Sequence, residues 1–153
     1  MSSSTAVMEQ TSSIVYVLRP NYPNWVKKVM HPDLEVGPAS FDAAELEHWL
    51  APGQQDGWVR GHAIYEALKA EEDGLPSCLG LLDLNALQSR GIDFFRKYFS
   101  GKAVFGWRSV VENQFGYLYV PYAVVNDGKV VVGWDSLGSD FSSINPALRS
   151  RKK

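Results

Sequence analysis

The sequence predicts an α+β domain: an antiparallel sheet of three to four strands, centred on a C-terminal meander and packed with three to four helices. Three observations carry that expectation. Lys102 to Asp135 contains runs rich in Val, Tyr and Trp, hinged at Val125-Asn126-Asp127-Gly128-Lys129, a tight hairpin signal. Leu84, Leu87, Gly91, Phe94 and Tyr98 recur at alternating three- and four-residue steps, the period of an amphipathic helix. The chain has 153 residues, 45% hydrophobic and 21% charged, which suits one globular domain able to bury a core unaided.

In chain order, Met1 to Ser13 is Ser/Thr-rich, lacks Lys and Arg and has no apolar core segment, so residues 1–13 read as a tail rather than a signal peptide. A single domain is expected over residues 14–149, and a basic tail over 150–153. Ile14 to Leu18, an unbroken β-branched run stopped by Arg19-Pro20, predicts a strand buried on both faces. Asn21 to Met30 predicts a short helix with Pro23 in its first turn, and the Pro and Gly of His31 to Ser40 predict a loop.

Asp42 to Leu50 has the start signals of a helix. Asp42 and Glu45 stand at capping-box spacing, and Phe41 and Leu46 at the ends of a hydrophobic staple. Residues Gly53 to Gly57 form a polar loop before Trp58, and Arg60 to Glu72 predicts a second helix ended by Gly74. The periodic segment from Leu84 to Phe99 is a third, with a break into two at Gly91 as the alternative; Gly91 costs about 1 kcal/mol relative to Ala inside a helix.

Within the meander, alternation places Leu118, Val120, Tyr122 and Val124 on one face. A three-residue loop Asn126 to Gly128 would set them opposite Val130, Val132 and Trp134, giving an apolar surface for the long helix. The other face then carries small residues, Gly106, Ala123 and Gly133, in a trough bounded by Arg108, Tyr119 and Asp135. Pro121 cannot donate a ladder bond, so an irregularity is expected beside it.

The chemistry-bearing motifs are sparse. Net charge is −2, so no global field points to nucleic acid or an anionic membrane, although acids cluster between Asp42 and Asp73 and bases between Arg90 and Arg108. Tyr117, Tyr119 and Arg108 are the residues a single-strand stacking platform would use, but no RNA-binding motif accompanies them, and nucleic acid is not the expected partner. The single cysteine, Cys78, excludes an internal disulfide and points to a reducing, cytoplasmic setting. Placed near a helix start, its thiol would be acidified and with His48 or His62 could form a nucleophile–base pair; its apolar neighbours favour a buried structural role. No phosphate loop, nucleophile elbow or metal-ligand spacing among His31, His48 and His62 appears, so no cofactor, metal or catalytic residue is assigned.

The segments Cys78-Leu79-Gly80-Leu81-Leu82-Asp83-Leu84, Phe94-Phe95-Arg96-Lys97 and Gly101-Lys102-Ala103-Val104-Phe105-Gly106-Trp107 resemble those of small bacterial accessory proteins found on mobile elements and in gene cassettes. The resemblance spans residues 31–149; it implies no activity and carries over no site residues. The expected function is non-catalytic binding, with a protein partner or a homodimer: an inhibitor, immunity-type or regulatory protein. The alternatives are a small-molecule domain with an aromatic cleft and, third, a Cys-dependent enzyme. Trp58, Arg108, Tyr117, Tyr119 and Asp135 are the expected ligand or partner surface.

Overall fold

The computed structural model describes residues 13–16, 22–34 and 39–150. Its strands are β1 (Ser13–Tyr16), β2 (Val26–Val29), β3 (Ala39–Asp42), β4 (Leu46–Trp49), β5 (Val59–Arg60), β6 (Val104–Phe105), β7 (Val111–Asn113), β8 (Leu118–Asn126), β9 (Lys129–Ser136), β10 (Asp140–Phe141) and β11 (Ala147–Ser150). The helices are α1 (Gly61–Ala70), α2 (Gly74–Ser77), α3 (Leu81–Arg90) and α4 (Ile92–Phe99). Both expected tails fall almost wholly outside the described residues, as do Val17 and Leu18 of the first expected strand.

The class is α+β, but the sheet is larger than the predicted three to four strands. Seven strands join in the order β2-β7-β8-β6-β11-β4, with β9 on the other edge of β8. Pairing is antiparallel except between β6 and β11, where Ala147 lies beside Phe105. Two further pairs, β1 with β3 and β5 with β10, stand apart from it. The unpredicted strands are short, and their centres are charged or polar: Lys27-Lys28 in β2, Glu47-His48 in β4, Arg149 in β11. Backbone hydrogen bonds to neighbours distant in sequence hold them, and no apolar alternation announces them.

Two helix expectations fail for that reason. Val26–Val29 is β2, antiparallel to β7, in place of a helix over Asn21 to Met30. Asp42 does cap, its Oδ1 accepting the Ala44 N–H at 3.0 Å, but the cap starts one 3₁₀ turn. Leu46–Trp49 then pairs with β11, and tertiary pairing overrides the local start signal. The long helix breaks at Gly91, the alternative reading. Its φ of +92° is open to glycine and strained for other residues, and none of the described residues comes within 4 Å of where a Cβ would stand.

The turn between β8 and β9 is one residue shorter than the three-residue loop predicted. Asn113 to Tyr117 encloses a three-residue loop with Gly116 at φ +85°, whereas Asp127 (φ 55°) and Gly128 (φ 77°) make a two-residue turn of the primed kind. Val124 therefore faces Val131, Tyr122 faces Gly133 and Val120 faces Asp135. The one-faced hydrophobic argument failed because this sheet is buried on both faces. Leu84, Leu87, Phe95 and Phe99 of α3 and α4 pack on Val104, Ala123, Val130 and Leu148. On the opposite face Ile64, Tyr65 and Leu68 of α1, with Leu137 and Phe141, pack on Phe105, Trp107, Val120 and Ala147. Adjacent residues of β6 and β11 thus enter different cores.

The trough drawn from the sequence does not form, and Gly133, opposite Tyr122, lies on the other face from Ala123. Ala123 is fully buried beneath α3 and α4, and Gly106 is buried too. The strand that was to run on from Lys102 is interrupted by a 3₁₀ turn, Trp107–Ser109, between β6 and β7. Pro121 lies opposite that interruption: its carbonyl accepts from Gly106 at 3.0 Å, so its missing donor also points to the side where the ladder is broken.

Candidate functional site

The face that α3 and α4 cover at Ala123 and Val130 continues past them to Tyr119 and Trp134, which share it because Tyr119 pairs with Ser136 and Pro121 with Trp134. Trp25 closes over both rings. A turn before β2, with Val26 N–H donating to Pro23 O at 3.1 Å, brings it there. Its ring meets Tyr119 edge-on at a centroid distance of 5.1 Å and Trp134 at 5.5 Å and 85°. Such edge-to-face contacts contribute about 0.5–1.5 kcal/mol each beyond area burial.

The β7–β8 loop supplies the other wall. Asn113 Oδ1 accepts the N–H groups of Phe115 and Tyr117, both at 3.0 Å, and so fixes the loop from within. Phe115 is left 72% exposed at the rim. Among the described residues, Trp25, Asn113, Gln114, Phe115, Tyr119 and Trp134 line a cleft of about 370 Å³, and none of these side chains is charged.

Of the expected surface residues, only Tyr119 lines this cleft. Tyr117 is exposed beside the loop, and Trp58, 69% exposed, stands on a separate loop. That loop is held by the buried Gln54, which accepts from Ala51 and donates to the carbonyls of Ser142 and Asn145, all at 2.9 Å. Arg108 points inward to Asp83, Nη2 to Oδ2 at 2.9 Å, and does not border a trough. Asp135 Oδ1 accepts from Ser136 N–H and Ser139 Oγ and shapes the end of β9. With Arg108 engaged inward, the three residues of the stacking platform do not come together. Trp134 was expected on the apolar face beneath the long helix; the signal for the site is Phe115, a large apolar residue in a hairpin loop.

Cys78 follows α2, at its C-terminal end instead of at a helix start. It is 1% exposed, and its thiol lies 3.2 Å from Gly74 O. Burial pushes the thiol up to about 12, against the opposing pull of Arg149 and Arg108, so it stays protonated at neutral pH. His48 stacks on Phe99 and lies 2.8 Å from Lys102 Nζ. Among the described residues no three His, Cys, Asp or Glu side chains converge as a metal site, and no helix is long and apolar enough to cross a membrane.

His31 Nε2 lies 2.6 Å from Tyr65 Oη. Burial raises the Tyr65 phenol to about 12, so it remains a donor, and burial lowers the His31 pKa despite the opposing charge of Asp33. The neutral imidazole is thus the form the fold prefers. Its stabilising contribution is complete above the unfolded value of about 6.5 and declines as pH falls through the lowered folded value. Melts between pH 7.5 and about 4.5 are expected to show this loss in the wild type and not in His31→Phe.

No protein-family model, curated protein or solved structure matches the chain.

Proposed function

We propose that this protein is a non-catalytic binding domain whose aromatic cleft takes a small neutral ligand with an apolar ring face and hydrogen-bonding edges, as a neutral saccharide has. The supporting observation is the lining itself. Trp25, Tyr119 and Trp134 offer ring faces and edges, Phe115 is exposed at the mouth, and the amides of Asn113 and Gln114 are the polar groups that flank them. Apolar walls with a few neutral polar groups suit a ligand of this kind. An uncharged lining disfavours phosphates and carboxylates, which need compensating cations. Of the readings drawn from the sequence, this favours the aromatic cleft, since Ala123 is buried beneath α3 and α4 and Gly133 lies on the other face, so the trough argued for protein capture does not form.

The test is tryptophan fluorescence titration with a panel of neutral mono- and disaccharides, using sulfated counterparts as controls. Neutral sugars are expected to shift the emission of Trp25 and Trp134, and Phe115→Ala is expected to weaken binding about tenfold, or about 1.4 kcal/mol, without changing the melt. A panel in which no neutral sugar binds, or binding that Phe115→Ala leaves intact, overturns the proposal.

A further inference from the structure

The main sheet has three edge strands, and β9 differs from the other two. The β2 and β4 edges are four residues long with charged or titratable centres, Lys27-Lys28 and Glu47-His48. β9 is eight residues long, its centre is Val130-Val131-Val132-Gly133-Trp134, and among the described residues it pairs only with β8. Leu137 N–H donates to Leu118 O, which sets the alternation: odd-numbered residues of β9 turn their backbone groups toward β8, and Val130, Val132, Trp134 and Ser136 turn theirs outward.

The ends of that outer edge are capped. Gln88 Nε2 donates to Val130 O at 3.1 Å. Ser136 N–H donates to Asp135 Oδ1 at 2.8 Å, and Ser136 O accepts from Ser139 N–H at 3.0 Å. The middle is not: Val130 N–H, Val132 N–H and C=O, and Trp134 N–H and C=O meet no strand among the described residues. A long strand with an uncharged middle and open backbone groups is a template for adding another.

We infer that a second copy of this chain pairs here, β9 against β9 in antiparallel fashion, about a two-fold axis at Val132. The open groups are centred on that residue. With Val132 opposite its counterpart, Val132 N–H and C=O exchange two bonds across the axis, and Val130 N–H reaches Trp134 C=O of the other copy. The same register sets Lys129 opposite Asp135 of the second copy, twice over. Asp135 uses Oδ1 within its own chain and presents Oδ2 to that ammonium. An isologous contact requires this self-complementarity of charge and backbone, and a strand with Lys at one end and Asp at the other supplies it.

Sedimentation velocity over a concentration series is expected to show a reversible dimer of twice the 17.0 kDa chain mass. Hydrogen exchange at the Val132 and Trp134 amides is expected to slow as the dimer forms. Lys129→Asp and Asp135→Lys are each expected to weaken dimerisation about tenfold, and the double exchange to restore it. Should Asp135→Lys disturb the turn it shapes, Lys129→Asp carries the test alone, because Lys129 lies exposed at the hairpin end. A monomer at every concentration overturns the inference, as does a dimer indifferent to Lys129→Asp.

Discussion

Arg108→Glu is expected to remove about 3–5 kcal/mol or more of stability, a large share of the roughly 5–15 kcal/mol that holds a domain of this kind folded. Asp83, with 3% of its side chain exposed, accepts from both Arg108 and the Gly80 N–H, the latter at 2.7 Å, at the start of α3. Ser109, one residue along the same 3₁₀ turn, accepts the Leu81 N–H at 2.7 Å through its hydroxyl. The turn therefore seats the first turn of α3, and its guanidinium neutralises a carboxylate that water barely reaches. A glutamate there sets two carboxylates against each other in a site built for a pair. Urea melts of Arg108→Glu beside Arg108→Lys check this; a loss under about 1 kcal/mol for the glutamate variant means the pair is dispensable.

Phe99→Ala is expected to cost about 3–5 kcal/mol, since the ring is fully buried between α4 and the sheet and touches Phe95 at a centroid distance of 5.3 Å. Phe94→Ala, five residues earlier on α4, is expected to cost about 1 kcal/mol, near the mean for a substitution of this kind. Its ring is only half-buried, against Tyr98 and beneath the Arg90 guanidinium at 4.2 Å. The two melts together test which side of α4 faces the core. Equal losses would place both rings in it.

The candidate cleft was nearly illegible in the chain. Its rings come from a turn, two strands and a loop spread between Trp25 and Trp134, and their meeting depends on β2 lying beside β7. β2 has no apolar pattern, so Trp25 could not be placed. Tyr119 was recognised as a surface aromatic because alternation along β8 is a local property. Its neighbours across the sheet followed from the hairpin register, and there the stereochemistry of Asp127-Gly128 outweighed hydrophobic matching. With both sides of β8 under cores, neither register left an apolar face bare.

By itself the sequence determined the class, the two long strands β8 and β9, the helical segments that form α1 and the α3–α4 pair, and the buried character of Cys78. Each rests on interactions within a few residues: side-chain alternation, helical period, turn propensity, an apolar neighbourhood. Only the tertiary structure decided the size of the sheet, the parallel step from β6 to β11, the inward turn of Arg108 onto Asp83, and the gathering of Trp25, Tyr119 and Trp134. Those depend on contacts between segments far apart in sequence, where four-residue strands gain their hydrogen bonds from partners that local pattern does not specify.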